Sequence, residues 1–254
     1  SVFLSTIMVL SVVAMGGVAL SGSVAADPGA SISGYDEVAP EPADGDLAVT
    51  ADGQVPDGFA ESFVSGDVYG SIPRATDAAG ENDRIIVFPG DYSINPAEDG
   101  GDGGLVAVSA AVSISDTGVE LVSFAGPEET NLSVTPGGNG ENLQSTIFHI
   151  TATDVTLQGF NISEDWSRAG IVVDGDNAIV EHNLIKDPGN SADLIGYGVS
   201  VGGDSGADAT NATVANNEIQ LVEDKGTTEI TGADWVAGIG VLSNGDSHQF
   251  ENNV

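Results

Sequence analysis

The chain contains no cysteine. Its 254 residues hold five bases (Arg74, Arg84, Arg168, Lys186 and Lys225) against 39 acids, a formal net charge of −34. The missing cysteine excludes disulfides, thiolate metal sites and thiol nucleophiles, so stability must come from packing and hydrogen bonds. The shortage of lysine and arginine argues against nucleic acid as a partner, because phosphate binding needs clustered cations. An anionic membrane surface is disfavoured on the same ground. His149, His182 and His248 show no metal-ligand spacing such as H-E-x-x-H. G-x-S-x-G, the P-loop and the dinucleotide fingerprint are missing as well, which speaks against triad hydrolysis and nucleotide chemistry. Helical periodicity is almost absent.

Apolar content is 41 %, enough for a folded core rather than a disordered acidic tail. A chain this acidic that still has a core resembles the proteins of extreme halophiles, whose carboxylates keep the surface hydrated while salt screens self-repulsion. An acidic protein from an ordinary organism is the alternative. Residues 1–26, SVFLSTIMVLSVVAMGGVALSGSVAA, carry no charge and pass from an apolar stretch into Gly, Ser and Ala. Ser23 with Ala25, or Val24 with Ala26, suits a signal-peptide cleavage site. Neither an initiating methionine nor a basic n-region precedes it, which reads as a clipped leader; a transmembrane anchor is the alternative. The stretch is similar to the signal peptides of haloarchaeal cell-surface glycoproteins. That resemblance implies export to the surface or beyond, with no membrane span in the mature protein. Residues 27–66 read as an acidic, Pro/Gly-rich linker or loosely ordered arm.

Order is expected over 67–254. YGSIPRATDAAGENDRIIVFPGDY, from Tyr69, reads as a short helix, a turn and a strand. Ser71 is placed to cap the helix and Pro73 falls in its first turn. Ile72, Ala75 and Ala79 share a face, and Gly80 closes it. Short glycine-bounded strands follow, and a repeat emerges: NAIVEHNLI from Asn177, NATVANNEI from Asn211 and SHQFENNV from Ser247. Leu157, Val180, Val214 and Phe250 share one apolar position, at intervals of 23, 34 and 36 residues. Two residues on stand Gly159, His182, Asn216 and Asn252, types that tolerate a left-handed backbone, so this column predicts a sharp bend between two strands. Phe160, Asn183, Asn217 and Asn253 come next. Asparagines turned inward there can hydrogen-bond into a ladder between stacked coils. Gly170-Ile171, Gly198-Val199 and Gly238-Ile239 repeat in step. One bend per turn with apolar residues on either side builds a solenoid in which each coil needs its neighbours. A β-sandwich is the alternative, but it predicts no asparagine column. The chain stops in mid-repeat at Val254, which reads as a truncation with more coils to follow.

The helix, the strand ending in PG-x-Y and the repeat resemble the right-handed parallel β-helix proteins of the pectin-lyase-like superfamily, from about Tyr69 to Val254. The resemblance implies an all-β solenoid with a short N-terminal capping helix. It implies little about chemistry, because this fold hosts many functions. The coil pattern is also similar to the family that accompanies nitrous-oxide reductase. A copper role does not carry over to a chain with no cysteine, two methionines and scattered histidines.

Trp166, Tyr197 and Trp235 precede successive Gly-Ile/Val strands. Two insertions, KDPGNSADLIGY and VEDKGTTEITGADWVA, emerge on the same side. The three rings either form a stripe for sugar faces or anchor the loops. In β-helix polysaccharide lyases an Arg or Lys is the base and acid-held calcium neutralises the uronate. The resemblance thus implies Arg168 as base beside Glu164, Asp165 and Asp234. Asp165 with Asp234 as a hydrolytic carboxylate pair is the other option. GGDGG and GGDSGAD would bind Ca2+ only weakly and read first as flexible turns, since neither matches G-G-x-G-x-D. Sequons stand at Asn131, Asn161 and Asn211, with Asn161 turned outward between Phe160 and Ile162. The expectation is a secreted or cell-surface halophilic β-helix protein with a non-enzymatic envelope or carbohydrate-binding role, its partner a polysaccharide or surface glycan. The alternative is a polysaccharide lyase or glycoside hydrolase acting on acidic polysaccharide.

Overall fold

A computed structural model of the chain describes residues 35, 40–56, 58–59, 63, 67–94, 109–134, 145–163, 169–186, 196–202, 208–220, 236–242, 245 and 247–254. The expected leader, 1–26, lies outside them. In the described residues the chain enters through β1 (Leu47–Val49), β2 (Val68–Tyr69) and α1 (Ile72–Ala78). Strands then recur in threes: β3 (Arg84–Val87), β4 (Gly90–Ile94) and β5 (Ser109–Ile114); β6 (Glu120–Ser123), β7 (Thr130–Val134) and β8 (Ser145–Ile150). They continue as β9 (Thr156–Gln158), β10 (Asn161–Ser163) and β11 (Ala169–Val173); β12 (Ile179–Glu181), β13 (Leu184–Lys186) and β14 (Gly196–Val201). The last are β15 (Thr213–Ala215), β16 (Glu218–Gln220), β17 (Val236–Val241) and β18 (Gln249–Glu251). The first, second and third strand of every coil stack on their counterparts into sheets of eight, five and five strands. All pairings are parallel. The protein is a parallel β-helix.

Three inward columns fill the coil. Ile85, Leu121, Leu157, Val180, Val214 and Phe250 are in register in the first sheet. Tyr92, Leu132, Ile162, Ile185 and Ile219 line the second. Val112, Phe148, Ile171, Val199 and Ile239 line the third. Full burial of such side chains contributes about 1.5–3 kcal/mol each. In α1, Ile72 and Ala75 are buried in the same cluster as Val49 and Ile85, so the helix closes one end of the core. Ser71 does sit at the N-cap, but its hydroxyl makes no capping bond. The helix ends on Ala79 in an extended conformation, not on Gly80, whose N–H donates to Asp83 Oδ2 at 2.8 Å.

The stretch expected as an arm contributes β1, which pairs with β3. Its composition hid a three-residue apolar run. Leu47 and Val49 face the core, and Ala48 joins Phe63, Ile86, Phe88 and Val122 in a second cluster on the outer side of the same sheet. Arg84 fastens the run from below, its Nε and Nη2 donating to Asp46 Oδ1 and Oδ2 at 3.1 and 2.7 Å. That bond holds the guanidinium pKa above its usual value. Farther up the chain, Tyr35 lies buried against the outside of the coil, its hydroxyl donating to the carbonyl of Ser123.

Four first-sheet strands, β9, β12, β15 and β18, are bracketed by two left-handed residues. At their ends stand Gly159, His182, Asn216 and Asn252, with φ of 85, 54, 55 and 53°. Before their starts, and before β3 and β6, stand Asn82, Gly118, Asp154, Asn177, Asn211 and Ser247, all with positive φ. The second column escaped the sequence reading, although it falls three residues ahead of every inward apolar residue. Asn/Asp side chains suit it because they tolerate φ > 0 and can bond to the next coil. Asn177 Nδ2 donates to Asp154 Oδ1 at 3.0 Å, and Asn211 Nδ2 to Asn177 Oδ1 at 3.2 Å.

Inside the first bend runs a buried ladder. Asn183 Oδ1 accepts from the Phe160 N–H at 3.0 Å. Asn183 Nδ2 donates to the carbonyls of Leu157 and Glu181, and to Asn217 Oδ1 at 3.1 Å. Asn217 repeats the scheme one coil on, donating to the carbonyls of Val180 and Ala215 and to Asn253 Oδ1. Phe160 heads the column with a ring packed 5.8 Å from that of Phe148. Asn183→Ala should therefore strand buried backbone groups and cost about 3 kcal/mol. Asn211→Gly, on the exposed column, should change stability by less than about 0.5 kcal/mol. Denaturant unfolding of the two variants measures the difference.

Candidate functional site

In the third sheet the residues that directly follow the inward column of Val112, Phe148, Ile171, Val199 and Ile239 face out. Register aligns Ser113 with His149, His149 with Val172, Val172 with Ser200 and Ser200 with Gly240. This strip is unusually polar for its burial: His149 is 9 % exposed and Ser200 0 %. His149 Nε2 lies 2.8 Å from Asp174 Oδ2, a buried carboxylate just past the end of β11. With Asp174 ionised, Nε2 carries the proton and donates, leaving Nδ1 as the acceptor. A carboxylate-oriented imidazole can hold a fixed tautomer or pass a proton. Ser200 Oγ is buried with no hydrogen-bond partner among the described residues.

Tyr197 stands inside β14, not in the loop ahead of it. Its ring lies over the next coil, where a Cβ on Gly240 would come within 2.4 Å of it. At Gly170 and Gly198 the Gly-Ile/Val repeat has a steric origin. A Cβ at Gly198 would sit 2.6 Å from Ile219 Cγ2 and 2.7 Å from the Gly238 carbonyl oxygen. Glycine is needed there because the isoleucines of the second sheet fill the corner.

The other expected chemistry falls elsewhere. Asp165, Trp166, Arg168, Asp234 and Trp235 lie outside the described residues, as do GGDGG and most of GGDSGAD. Among the described residues no group of three or more His, Asp or Glu side chains is arranged to hold a metal ion. His182 occupies the bend, its Nδ1 3.8 Å from Glu181 Oε2. Two sequon asparagines belong to one surface chain: Asn131 Nδ2 donates to Asp91 Oδ1 at 2.8 Å, and Asn161 Nδ2 to Asn131 Oδ1 at 2.6 Å. Both are half-buried, whereas Asn211 is exposed at its bend. The His149–Asp174 pair was missed in the sequence. Its signal was available: aligning TIFHI with AGIVV sets a histidine beside a strand that is followed directly by an aspartate.

No protein-family model matches the sequence, and no curated protein does. Two solved structures resemble the fold. One is a pectin methylesterase variant in complex with a hexasaccharide, 12 % identical with a TM-score of 0.39, aligned over 79 % of this chain and 67 % of that one. The other is a rhamnogalacturonan lyase, 11 % identical with a TM-score of 0.41, aligned over 77 % of this chain and 62 % of that one. Both are parallel β-helix proteins.

Asp174→Ala leaves the buried His149 Nε2 without its carboxylate and should cost about 1–3 kcal/mol. For a chain of this size that lowers the thermal midpoint by about 2–4 °C per kcal/mol. Asp174→Asn retains an acceptor oxygen, so a calorimetric scan should place it nearer the wild type.

Proposed function

We propose that this chain is an exported, surface-located halophilic β-helix protein that binds or displays carbohydrate without transforming it. The observation carrying this reading is where the polar side chains are spent. At the described bends the asparagines hold one coil to the next, and on the third sheet the Tyr197 ring lies over Gly240, in register with Ser200, on the same face that carries His149 two strands away. An amphipathic ring on a level floor suits a sugar face with polar edges. Export is supported by the uncharged first 26 residues, and a saline habitat by the net charge of −34. No described helix is long and apolar enough to cross a membrane. Glycans on Asn131, Asn161 or Asn211 belong to the same proposal, Asn211 being the most accessible of the three. Bound Ca2+ would serve here as a bridge between surface carboxylates and an acidic glycan.

One observation favours a second reading. The His149–Asp174 pair has the form of an acid–base group, so a lyase or glycoside hydrolase acting on acidic polysaccharide is the alternative, with Asp165, Arg168 and Asp234 as its further candidates. A screen of polysaccharides for binding and cleavage, in molar KCl with and without Ca2+, separates the two. Binding without new reducing or unsaturated ends, weakened about tenfold in Tyr197→Ala, is the expected result. Cleavage that disappears in His149→Ala would transfer the assignment to the enzyme. Neither binding nor cleavage by the folded chain would remove carbohydrate from both readings.

A further inference from the structure

The second sheet carries a short repeat of its own on its outer face. Asp91-Tyr92-Ser93, Asn131-Leu132-Ser133 and Asn161-Ile162-Ser163 lie on three adjacent strands, β4, β7 and β10, each with its middle residue in the inward column. The last two are sequons; the first, with aspartate in place of asparagine, is not. Here the asparagines are committed to one another. Asn161 Nδ2 donates to Asn131 Oδ1 at 2.6 Å and Asn131 Nδ2 to Asp91 Oδ1 at 2.8 Å, so the amides run head to tail into a carboxylate. Both asparagines sit in mid-sheet strands with a hydrogen-bonded strand on either side. Asn161 Oδ1 is buried, and the next residue in register, Leu184, is 1 % exposed. Asn211 is placed differently. It stands exposed at a left-handed bend, φ 54°, ahead of β15. Its amide makes a longer bond, 3.2 Å to Asn177 Oδ1, and Asn177 is itself exposed.

We propose that Asn211 is the glycan acceptor of the folded chain, and that Asn131 and Asn161 are withheld from modification because their amides tie β4, β7 and β10 together. The proposal rests on the exported, surface-located reading above and narrows its three candidate acceptors to one. In the transfer the amide nitrogen takes the anomeric carbon of a glycan carried on a lipid phosphate. The new C–N bond replaces the C–O bond to phosphate, one amide proton goes to a base on the transferase, and the lipid phosphate leaves. The transferase needs the nitrogen in the open and the hydroxyl two residues on within reach, which is the geometry of an exposed loop or bend. A substituted amide keeps one N–H, so Asn211 can carry a glycan and still bond to Asn177. On Asn161 the glycan would have to stand between Asn131 and Leu184 on the face of the sheet. The D/N-x-S repeat is a sheet pattern that spells a sequon twice.

The test offers the folded full chain, in molar KCl, to an oligosaccharyltransferase in its membrane with a lipid-linked glycan donor, and counts glycopeptides by mass spectrometry. Short peptides carrying each sequon show how well each sequence is accepted outside the fold. Relative to its peptide, Asn211 should be modified at least about tenfold more than Asn131 or Asn161, which become accessible only when a mid-sheet strand opens. Asn211→Gln should abolish the modification and keep the wild-type thermal midpoint. Comparable modification of all three sites, or Asn211 left bare, would overturn the proposal. The assay does not depend on export, so a chain found to remain inside the cell would sink the surface reading and leave the pattern of sites standing.

Discussion

Everything in this β-helix depends on a parity constraint set by paired left-handed bends. Between Asn177 and His182 lies a short first-sheet strand, and the same holds between Asn211 and Asn216. Because side chains alternate along a strand, fixing both ends of so short an element fixes which residue enters the core. A slip of one residue would send Val180 to solvent and Glu181 inward. The bends prevent the slip by geometry, since only Gly, Asn, Asp, His and Ser occupy these columns. Stacked apolar columns, in-register asparagines and the outer strip of the third sheet are consequences of that phase.

The same constraint explains how so acidic a chain folds. Each coil sorts its residues strictly, so carboxylates are confined to outward positions and loops. Among the described residues two carboxylates are buried, Asp46 and Asp174, and each meets a basic side chain, Arg84 and His149 respectively. Burying a charge without such a partner would cost several kcal/mol. The inner ladder applies the rule to neutral groups: Asn183 and Asn217 are buried, and both amide nitrogens and both oxygens are bonded. Among the described residues, the interior therefore holds neutral bonded groups and paired carboxylates, and the excess of negative charge lies outside it.

The bend column and the inward asparagines were readable because each recurs at a fixed offset from an apolar residue, which is the signature of stacking. Tertiary context decided what could not be read. Leu47–Val49 is too short to stand out from its acidic surroundings; it becomes a strand because β3 offers an edge and Asp46 finds Arg84. Ser71 has the right residue type for a cap, but its buried hydroxyl makes no bond to the helix. The His149–Asp174 contact joins residues 25 apart on neighbouring coils, and loop insertions of unequal length blur that distance in the sequence. For the chemistry, the sequence pointed to the rims of the third sheet, whereas the polar cluster the structure describes lies on its face.

That location follows from the bends. Along the ladder, first and second sheets join through two residues, at Gly159-Phe160, His182-Asn183 and Asn216-Asn217, and these junctions cannot take an insertion without breaking it; the six-residue join of β6 to β7 lies ahead of the ladder. The unequal coil lengths are absorbed where the chain enters and leaves the third sheet. Variation in length and composition is therefore channelled to one side of the solenoid, around a strip whose floor is set by register. In repeat architectures the side that tolerates insertions is commonly the binding side. The described bends supply the physical reason here: the coil cannot alter them and keep its phase, so differences in length collect around the strip of Ser113, His149, Val172, Ser200 and Gly240.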